Sequence, residues 1–165
     1  SHLLDLGHRR IGHLGGPDYV SSAQGRLAGY RRALEERELT YDESLVVHAP
    51  FTVAGAYDAA FALLDRADRP TAVFAANDMQ AVGVMKAARA LALRIPDDFA
   101  LVGGDDIELA EFLEVPLTTF HQPAREIGAL AAQVLLDRLR GEIAEPRRIV
   151  LIPELIVRRS SGWPR

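Results

Sequence analysis

Strand-like and helix-like apolar patterns alternate along this chain, and the alternation restricts its fold more than any other feature. Short apolar runs lie at 10–16, 45–49, 72–76 and 100–104, and a segment with helical apolar spacing separates each run from the next. A strand that leads through a helix into another strand is nearly always a right-handed crossover between parallel strands. The sequence therefore predicts an α/β fold, with a doubly wound parallel sheet covered by helices on both faces.

Capping residues help to place the helices of this alternation. A stub helix is predicted to end at Gly7, and a helix over 22–37 is predicted to begin after Ser21 or Ser22. Thr52 is expected to cap the next helix, and Asp78 the helix that follows the third strand.

The C-terminal part departs from the alternation. A fifth strand is predicted at 118–122, followed by a helix over 124–140. Two strand-like runs, 147–152 and 154–159, are separated by Pro153 alone, which is too short for a parallel crossover, so we predict one bent or continuing strand. The helical residues predicted to face inward are Ile127, Leu130, Ala131, Val134 and Leu135.

Composition argues against several classes of function. A formal net charge of −4 does not favour nucleic-acid binding by this chain itself, because phosphate binding needs clustered Lys and Arg. The lack of cysteine excludes disulfides and thiolate metal sites. Neither a membrane-spanning apolar run nor a leader is expected, although the sequence leaves open whether a leader precedes Ser1.

Pairs of polar residues follow three of the predicted strands. In an open parallel sheet, ligands bind at the carboxyl ends of the strands. We therefore expect these side chains to face one cleft. The pairs are Asn77–Asp78, Asp105–Asp106 and His121–Gln122.

Catalytic motifs are missing from the sequence. It contains no G-x-S-x-G elbow, phosphate-binding loop, H-E-x-x-H or G-x-G-x-x-G. Adjacent carboxylates such as Asp105–Asp106 diverge in direction and are unsuited to flank a scissile bond. His8 and His13 are interpreted as structural. We predict no catalytic residue, no metal site and no cofactor.

Five motifs follow one another along the chain: GHRRIGHLGGP at 7–17, GRLAGYRRAL at 25–34, PTAVFAANDMQAVGVMKAARALALRIPDDFALVGGDD at 70–106, PLTTFHQP at 116–123 and PELIVRRSS at 153–161. In this order and spacing they resemble the effector-binding part of the lactose/galactose repressor (LacI/GalR) family. Family members carry an N-terminal helix-turn-helix domain and two periplasmic-binding-protein-like lobes around an effector cleft. The resemblance covers nearly the whole chain.

The resemblance implies three segments. Residues 1–122 correspond to the C-terminal lobe, 123–146 to a crossover helix that belongs to the other lobe, and 147–165 to returning strands and a tail. One lobe supplies half of a cleft, so binding to this chain alone is expected at a Kd of about 1 mM or weaker.

The resemblance also implies a set of effector contacts. Arg26 is similar to the arginine that anchors the ligand, and Asp105 to the carboxylate that accepts its hydrogen bonds. Two alternatives stay open: Arg26 pairs with Asp105 merely to hold the cleft wall, and Asp105 serves a turn. The full set of implied ligand-binding residues is Arg26, Phe51, Asn77, Asp105, Gln122 and Ser22.

Two departures from the family pattern bear on the effector. Gly104 stands where the family usually has Phe or Tyr, so a looser Asp105 turn is expected. Val20 replaces a polar contact of purine-responsive members, which disfavours a nucleobase and leaves a sugar-like effector favoured.

Family members pair through this lobe, so the resemblance implies a homodimer. The alternative is that Val82 and Phe112 are ordinary core residues. The implied interface residues are Val82, Met85, Lys86, Leu109, Phe112 and Leu113.

The function implied is that of the effector-sensing and dimerising part of a cytoplasmic transcriptional repressor. Its partners would be a small polar effector and operator DNA, the latter reached only through a domain outside this chain, with no membrane partner. The alternative is a fragment of a periplasmic sugar-binding transport protein of the same fold.

Overall fold

The computed structural model describes residues 1–142 and 145–162. Its helices are α1 (His2–Asp5), α2 (Ser21–Glu35), α3 (Val53–Leu64), α4 (Asp78–Ala90) and α5 (Ala124–Leu139). Its strands are β1 (Ile11–Gly15), β2 (Val46–His48), β3 (Ala72–Ala75), β4 (Ala100–Val102), β5 (Thr119–His121) and β6 (Glu154–Ile156). Within these residues, every helix falls short of the length and hydropathy that crossing a membrane requires.

The main sheet is parallel, in the order β2-β1-β3-β4. Single parallel bridges join Val102 to Thr118 and Asp105 to His121, so β5 continues the sheet beyond β4. On its other side β5 pairs antiparallel with β6. The predicted doubly wound α/β fold is confirmed.

Alternate residues along the strands feed two separate cores, one on each face of the sheet. On one face Leu14, Val73 and Leu101 pack among residues of α3 and α4. On the other, Ile11 and Ala72 pack among residues of α1 and α2. Because β1, β2, β3 and β4 run parallel, their carboxyl ends lie along one edge of the sheet, between the two helix layers.

Two predicted helix caps are wrong. The residue before α2 is Val20, which makes no side-chain cap, and Ser21 already lies within the helix. The N-cap of α4 is Asn77, whose side-chain oxygen accepts a hydrogen bond from the Gln80 amide at 2.8 Å. The Asp78 carboxylate instead accepts hydrogen bonds from Thr119 and Ile107. The Thr52 side chain caps α3 as the sequence predicts.

The C-terminal part also departs from its prediction. Helix α5 forms, but none of its residues is buried, and Leu135 is 58% exposed, so its apolar stripe is not directed into a core. The run at 147–152 is not a strand, because it has no hydrogen-bonded neighbour strand within the described residues. Residues 143–144 and 163–165, which fall in the predicted crossover and tail segments, lie outside the described residues.

His13 is a fully buried histidine in the middle of β1. Its ring is stacked between Tyr30 and Phe74, with centroid distances of 5.2 and 4.8 Å. Its Nδ1 lies 3.0 Å from the Phe74 carbonyl oxygen, and since a carbonyl only accepts, Nδ1 carries the proton and donates. Nε2 is then a buried acceptor, and it has no partner within the described residues. Burial lowers the pKa of His13 to about 4, so the ring is neutral at pH 7.

We predict that His13→Phe removes a pH-dependent loss of stability. The unfolded chain, with the ordinary histidine pKa of 6.5, takes up a proton below pH 6.5 that the folded chain excludes until about pH 4. The wild type should therefore lose on the order of 2 kcal/mol more unfolding free energy than the variant between pH 7 and pH 5. Urea unfolding of both proteins at the two pH values measures this. Equal losses would contradict it.

Candidate functional site

An ion pair between α2 and the loop after β4 marks the carboxyl edge of the sheet. The Nη2 of Arg26 donates to Oδ1 of Asp105 at 3.0 Å. The two side chains are 18% and 33% exposed, so the pair is half-buried and still open to a ligand. The structure thus brings together the two residues on which the implied ligand site chiefly depends.

Two aromatic rings flank the guanidinium of this pair. The Cζ of Arg26 lies 6.0 Å from the centroid of Phe51, in the loop after β2, and 5.5 Å from that of Phe120, on β5. These distances fall within the range of cation–π attraction. A ligand with polar groups and an apolar face would meet both kinds of surface here.

The side-chain amide of Gln80 holds the Phe51 loop in place. Its Nε2 donates to the carbonyl oxygens of Gly15 and Ala49 at 3.1 and 3.0 Å, and so ties the end of β1 to the end of β2. A Cβ at Gly16 would overlap the Phe51 ring, so this glycine admits the ring to the edge of the sheet.

Asp78 binds together the segments that carry Asp105. It is 1% exposed, and its two carboxylate oxygens accept from the Thr119 hydroxyl at 2.6 Å and from the Ile107 amide at 2.9 Å. Its own amide donates to the Gly104 carbonyl at 2.8 Å. One buried carboxylate therefore connects the end of β3, the loop after β4 and β5, a role that the sequence interpretation as a helix cap missed.

The loop after β4 is conformationally strained. Asp105 and Asp106 have φ values of +116° and +55°, a region that residues with a Cβ seldom occupy. Arg158 holds Asp106, with Nη2 donating to its Oδ1 at 2.9 Å, and His121 Nδ1 lies 3.1 Å from its other oxygen. These contacts from β5 and the segment after β6 help to keep Asp105 where it meets Arg26.

The remaining predicted ligand residues are placed less directly. Asn77 is 9% exposed, and its side-chain oxygen is occupied as the α4 cap. Ser22 is exposed in the first turn of α2. The Gln122 side chain is exposed. The backbone nitrogen of Gln122 lies 3.5 Å from the Asp105 carbonyl oxygen. Within the described residues, none of these three side chains makes a hydrogen bond to the Arg26–Asp105 pair.

Phe120 is the residue of this edge that sequence reasoning missed. The signal was its place between two polar residues on the predicted fifth strand, because alternation puts it on the face opposite Thr119. Its ring also corrects the expected looseness at Gly104: a Cβ there would overlap the Phe120 ring, so the space is filled from the neighbouring strand.

Burial raises the pKa of Asp105 above its ordinary value of 3.8. The Arg26 charge opposes this shift, and the negative charge of Asp78 adds to it. Within the described residues the Asp105 carboxylate accepts one hydrogen bond, from Nη2 of Arg26 to its Oδ1, and the side chain is 33% exposed. Its other oxygen can accept from a ligand hydroxyl, because a carboxylate accepts at both oxygens.

The residues of the implied dimer interface lie in two environments. Leu109 and Phe112, beyond the Asp105–Asp106 loop, are 51% and 70% exposed. Met85 and Leu113 are partly buried and pack against the core that α3 and α4 form with the sheet. Lys86 is exposed, and Val82 is intermediate. Phe112 is thus not the ordinary core residue of the alternative interpretation, whereas Met85 and Leu113 are shared with the core.

Comparison with known proteins shows which family the chain resembles. A family model described as a periplasmic binding protein-like domain matches residues 1–161. The chain is 42% identical over 158 residues to the HTH-type transcriptional regulator CelR of Thermobifida fusca, covering 96% of this chain and 46% of CelR. It is 38% identical over 157 residues to the HTH-type transcriptional repressor PurR of Vibrio atlanticus (strain LGP32), covering 95% and 47%.

Solved structures agree. A transcriptional regulator CelR–cellobiose complex superposes with a TM-score of 0.93 at 42% identity, covering 96% of this chain and 49% of that one. The Lac repressor dimer bound to operator and the anti-inducer ONPF gives a TM-score of 0.90 at 30% identity, covering 97% and 55%. The chain spans about half the length of the curated relatives it matches.

A parallel sheet with helices on both faces and a polar, aromatic-flanked site at its carboxyl edge defines a periplasmic-binding-protein-like lobe. The chain belongs to the periplasmic binding protein-like domain family, and the predicted resemblance to LacI/GalR regulators is confirmed. These relatives are transcriptional regulators or repressors.

We predict that Asp78→Ala destabilises the chain by about 3 kcal/mol, because it leaves a part-buried amide and a buried hydroxyl without their charged acceptor. Asp78→Asn keeps one acceptor oxygen and should cost less. Urea unfolding at pH 7 measures both. Asp58→Ala, on the exposed side of α3, is the matched control and should stay within about 0.5 kcal/mol of wild type. An Asp78→Ala cost as small as the control's would contradict the bridging role.

Proposed function

We propose that this chain is the effector-binding lobe of a cytoplasmic LacI-type transcriptional repressor, and that its effector is a sugar or sugar-like molecule. The observation that carries the proposal is the half-buried Arg26–Asp105 pair between two phenylalanine rings at the carboxyl edge of the sheet. The relatives named above are regulators with a helix-turn-helix domain, which favours a repressor over a transport protein.

A sugar suits the chemistry of this edge. The guanidinium of Arg26 donates to hydroxyl oxygens, the Asp105 carboxylate accepts from hydroxyl hydrogens, and the phenylalanine rings offer apolar faces to C–H groups. The CelR structure was solved as a complex with cellobiose, so a β-linked glucose disaccharide is the first ligand to test. Phe51, Asn77, Gln122 and Ser22 complete the proposed contact set.

We predict that cellobiose binds the chain with a Kd of about 1 mM or weaker, because one lobe offers contacts on one side only. Amide chemical-shift changes should cluster at the ends of β3, β4 and β5 in a ¹H–¹⁵N titration. Arg26→Ala and Asp105→Asn each remove a charged hydrogen-bonding partner of the ligand, so we expect affinity to fall roughly tenfold to a hundredfold.

Arg32→Ala is the matched control for this titration, since Arg32 lies on the same helix and its side chain is 76% exposed. It should bind cellobiose like the wild type. A purine nucleoside serves as the competing class of ligand. Saturable binding of the nucleoside at the same residues, with no response to cellobiose, would sink the sugar assignment. Loss of binding in Arg32→Ala alone would place the site elsewhere.

The proposal includes a homodimer formed through the surface that carries Leu109 and Phe112. Two large apolar side chains exposed close together are typical of an interface centre. The Lac repressor relative was solved as a dimer on operator DNA. In the proposed protein, the effector would shift the lobes between two arrangements, and so change how the DNA-binding domains are spaced.

In the segment assignment that we propose, 1–122 is the lobe, 123–146 the crossover and 147–165 the returning segment.

We predict that the chain sediments as a dimer at tens of micromolar and that Phe112→Asp makes it a monomer. The Phe112 ring is exposed in the single chain, and dimer formation would bury the introduced charge at the centre of the proposed interface. Analytical ultracentrifugation measures both. Tyr19→Asp is the control, because Tyr19 is 83% exposed and lies outside the proposed interface. A wild-type monomer at that concentration would refute the dimer.

A further inference from the structure

Phe120 contacts both partners of the Arg26–Asp105 ion pair. Its carbonyl oxygen accepts a hydrogen bond from the Asp105 amide at 3.1 Å, which fixes the strained backbone from which the carboxylate projects. The face of its ring lies 5.5 Å from the guanidinium carbon of Arg26. A single residue of β5 therefore contacts the acidic partner through its backbone and the basic partner through its ring.

The ring fits this place only because Gly104 has no side chain. A Cβ at Gly104 would overlap the edge of the Phe120 ring, and Gly104 immediately precedes Asp105 in the chain. The ring thus occupies the space beside the loop that a side chain at 104 would otherwise fill. Gly104 in the loop after β4 and the Phe120 ring on β5 therefore form a matched pair.

We propose that Phe120 is a positioning residue for the effector site, and that Gly104 is its required partner; this inference rests on the proposed function. An arginine side chain has many rotamers, and Asp105 holds one terminal nitrogen of the Arg26 guanidinium. The aromatic face restrains the orientation of the guanidinium and leaves its other N–H groups for the ligand. Because Arg26 is then ordered before the ligand arrives, binding loses less side-chain entropy.

A purely structural role for the ring makes different predictions. Phe120 also lines a groove with Phe74 and Val102, between α2 and the β5–β6 pair. If it served only to fill that groove, a large apolar residue without a π face would replace it without affecting Arg26. The side chain of leucine is large and apolar but not aromatic, whereas that of tyrosine is aromatic, so the two variants separate packing from the cation–π contact.

The first experiment compares Phe120→Leu with Phe120→Tyr in the 165-residue chain. The Arg26 Nε–Hε signal, assigned by its loss in Arg26→Lys, should lie upfield in the wild type because a proton over an aromatic face is shielded. We expect Phe120→Leu to abolish that upfield shift and to weaken cellobiose binding about threefold to tenfold. Phe120→Tyr should keep both the shift and the affinity.

The second experiment tests the Gly104 partnership through thermal unfolding. Gly104→Ala should lower the melting temperature by roughly 3–10 °C, because the new methyl group displaces the ring. In a Phe120→Val background the same substitution should cost clearly less. Some cost remains there, since the Ala76 carbonyl oxygen lies 3.0 Å from the added Cβ. Gly104→Ala should also reproduce the Arg26 signal change of Phe120→Leu, which keeps the test available if the leucine variant unfolds.

Two outcomes would overturn the inference. One is an Arg26 signal and cellobiose affinity that are the same in Phe120→Leu as in the wild type, and the other is a Phe120→Tyr variant that behaves like Phe120→Leu. The Arg26 signal and the melting temperatures are measured without ligand. If cellobiose fails to bind the wild type, the sugar assignment falls, and these ligand-free measurements still decide whether Phe120 orders Arg26.

Discussion

The buried carboxylate of Asp78 connects three strand ends that no other single side chain joins within residues 1–142 and 145–162. One carboxylate oxygen accepts a hydrogen bond from the Thr119 hydroxyl, and the other accepts one from the Ile107 amide. The Asp78 backbone amide donates to the Gly104 carbonyl oxygen. A carboxylate loses much favourable hydration on burial, and only well-aligned donors offset that loss. The demand for those donors fixes how β5 and the loop after β4 sit against the end of β3, and the candidate site is built on that loop.

A loop with two consecutive residues at positive φ needs such support. Each of Asp105 and Asp106 gives up on the order of 1–3 kcal/mol to adopt its conformation. Asp106 is held by Arg158 from the C-terminal segment, and Arg158 also donates to the Leu117 carbonyl at 2.9 Å. The residues that follow β6 are therefore part of the site although they contribute no ligand contact, and Asp105 presents its carboxylate from a backbone fixed on both sides.

The sequence predicts those features that depend on short-range pattern. Alternating apolar runs identified the parallel sheet, and strand-end polar residues identified the edge where Arg26 and Asp105 meet. It failed where one side chain serves a distant partner. Asp78 and Asn77 are both residues that favour N-cap positions. The donors that engage Asp78 instead come from Ile107 and Thr119, which lie 29 and 41 positions further along the chain. The space beside Gly104 is likewise filled from another strand, which no local pattern records.

The electrostatics of the edge is one reason why we propose a neutral, hydroxyl-rich ligand rather than a charged one. The charges of Arg26 and Asp105 compensate each other at a distance of 3.0 Å. The ion pair therefore presents no net charge that would attract an ionic ligand. Yet burial still raises the pKa of Asp105, and the negative Asp78 nearby reinforces that shift. An anionic ligand would be repelled by the negative charges of Asp105 and of the buried Asp78, and a cation would compete with the guanidinium for the same oxygen. Hydroxyl groups donate to the carboxylate and accept from the guanidinium at once, without adding a charge that the partly buried edge would have to desolvate.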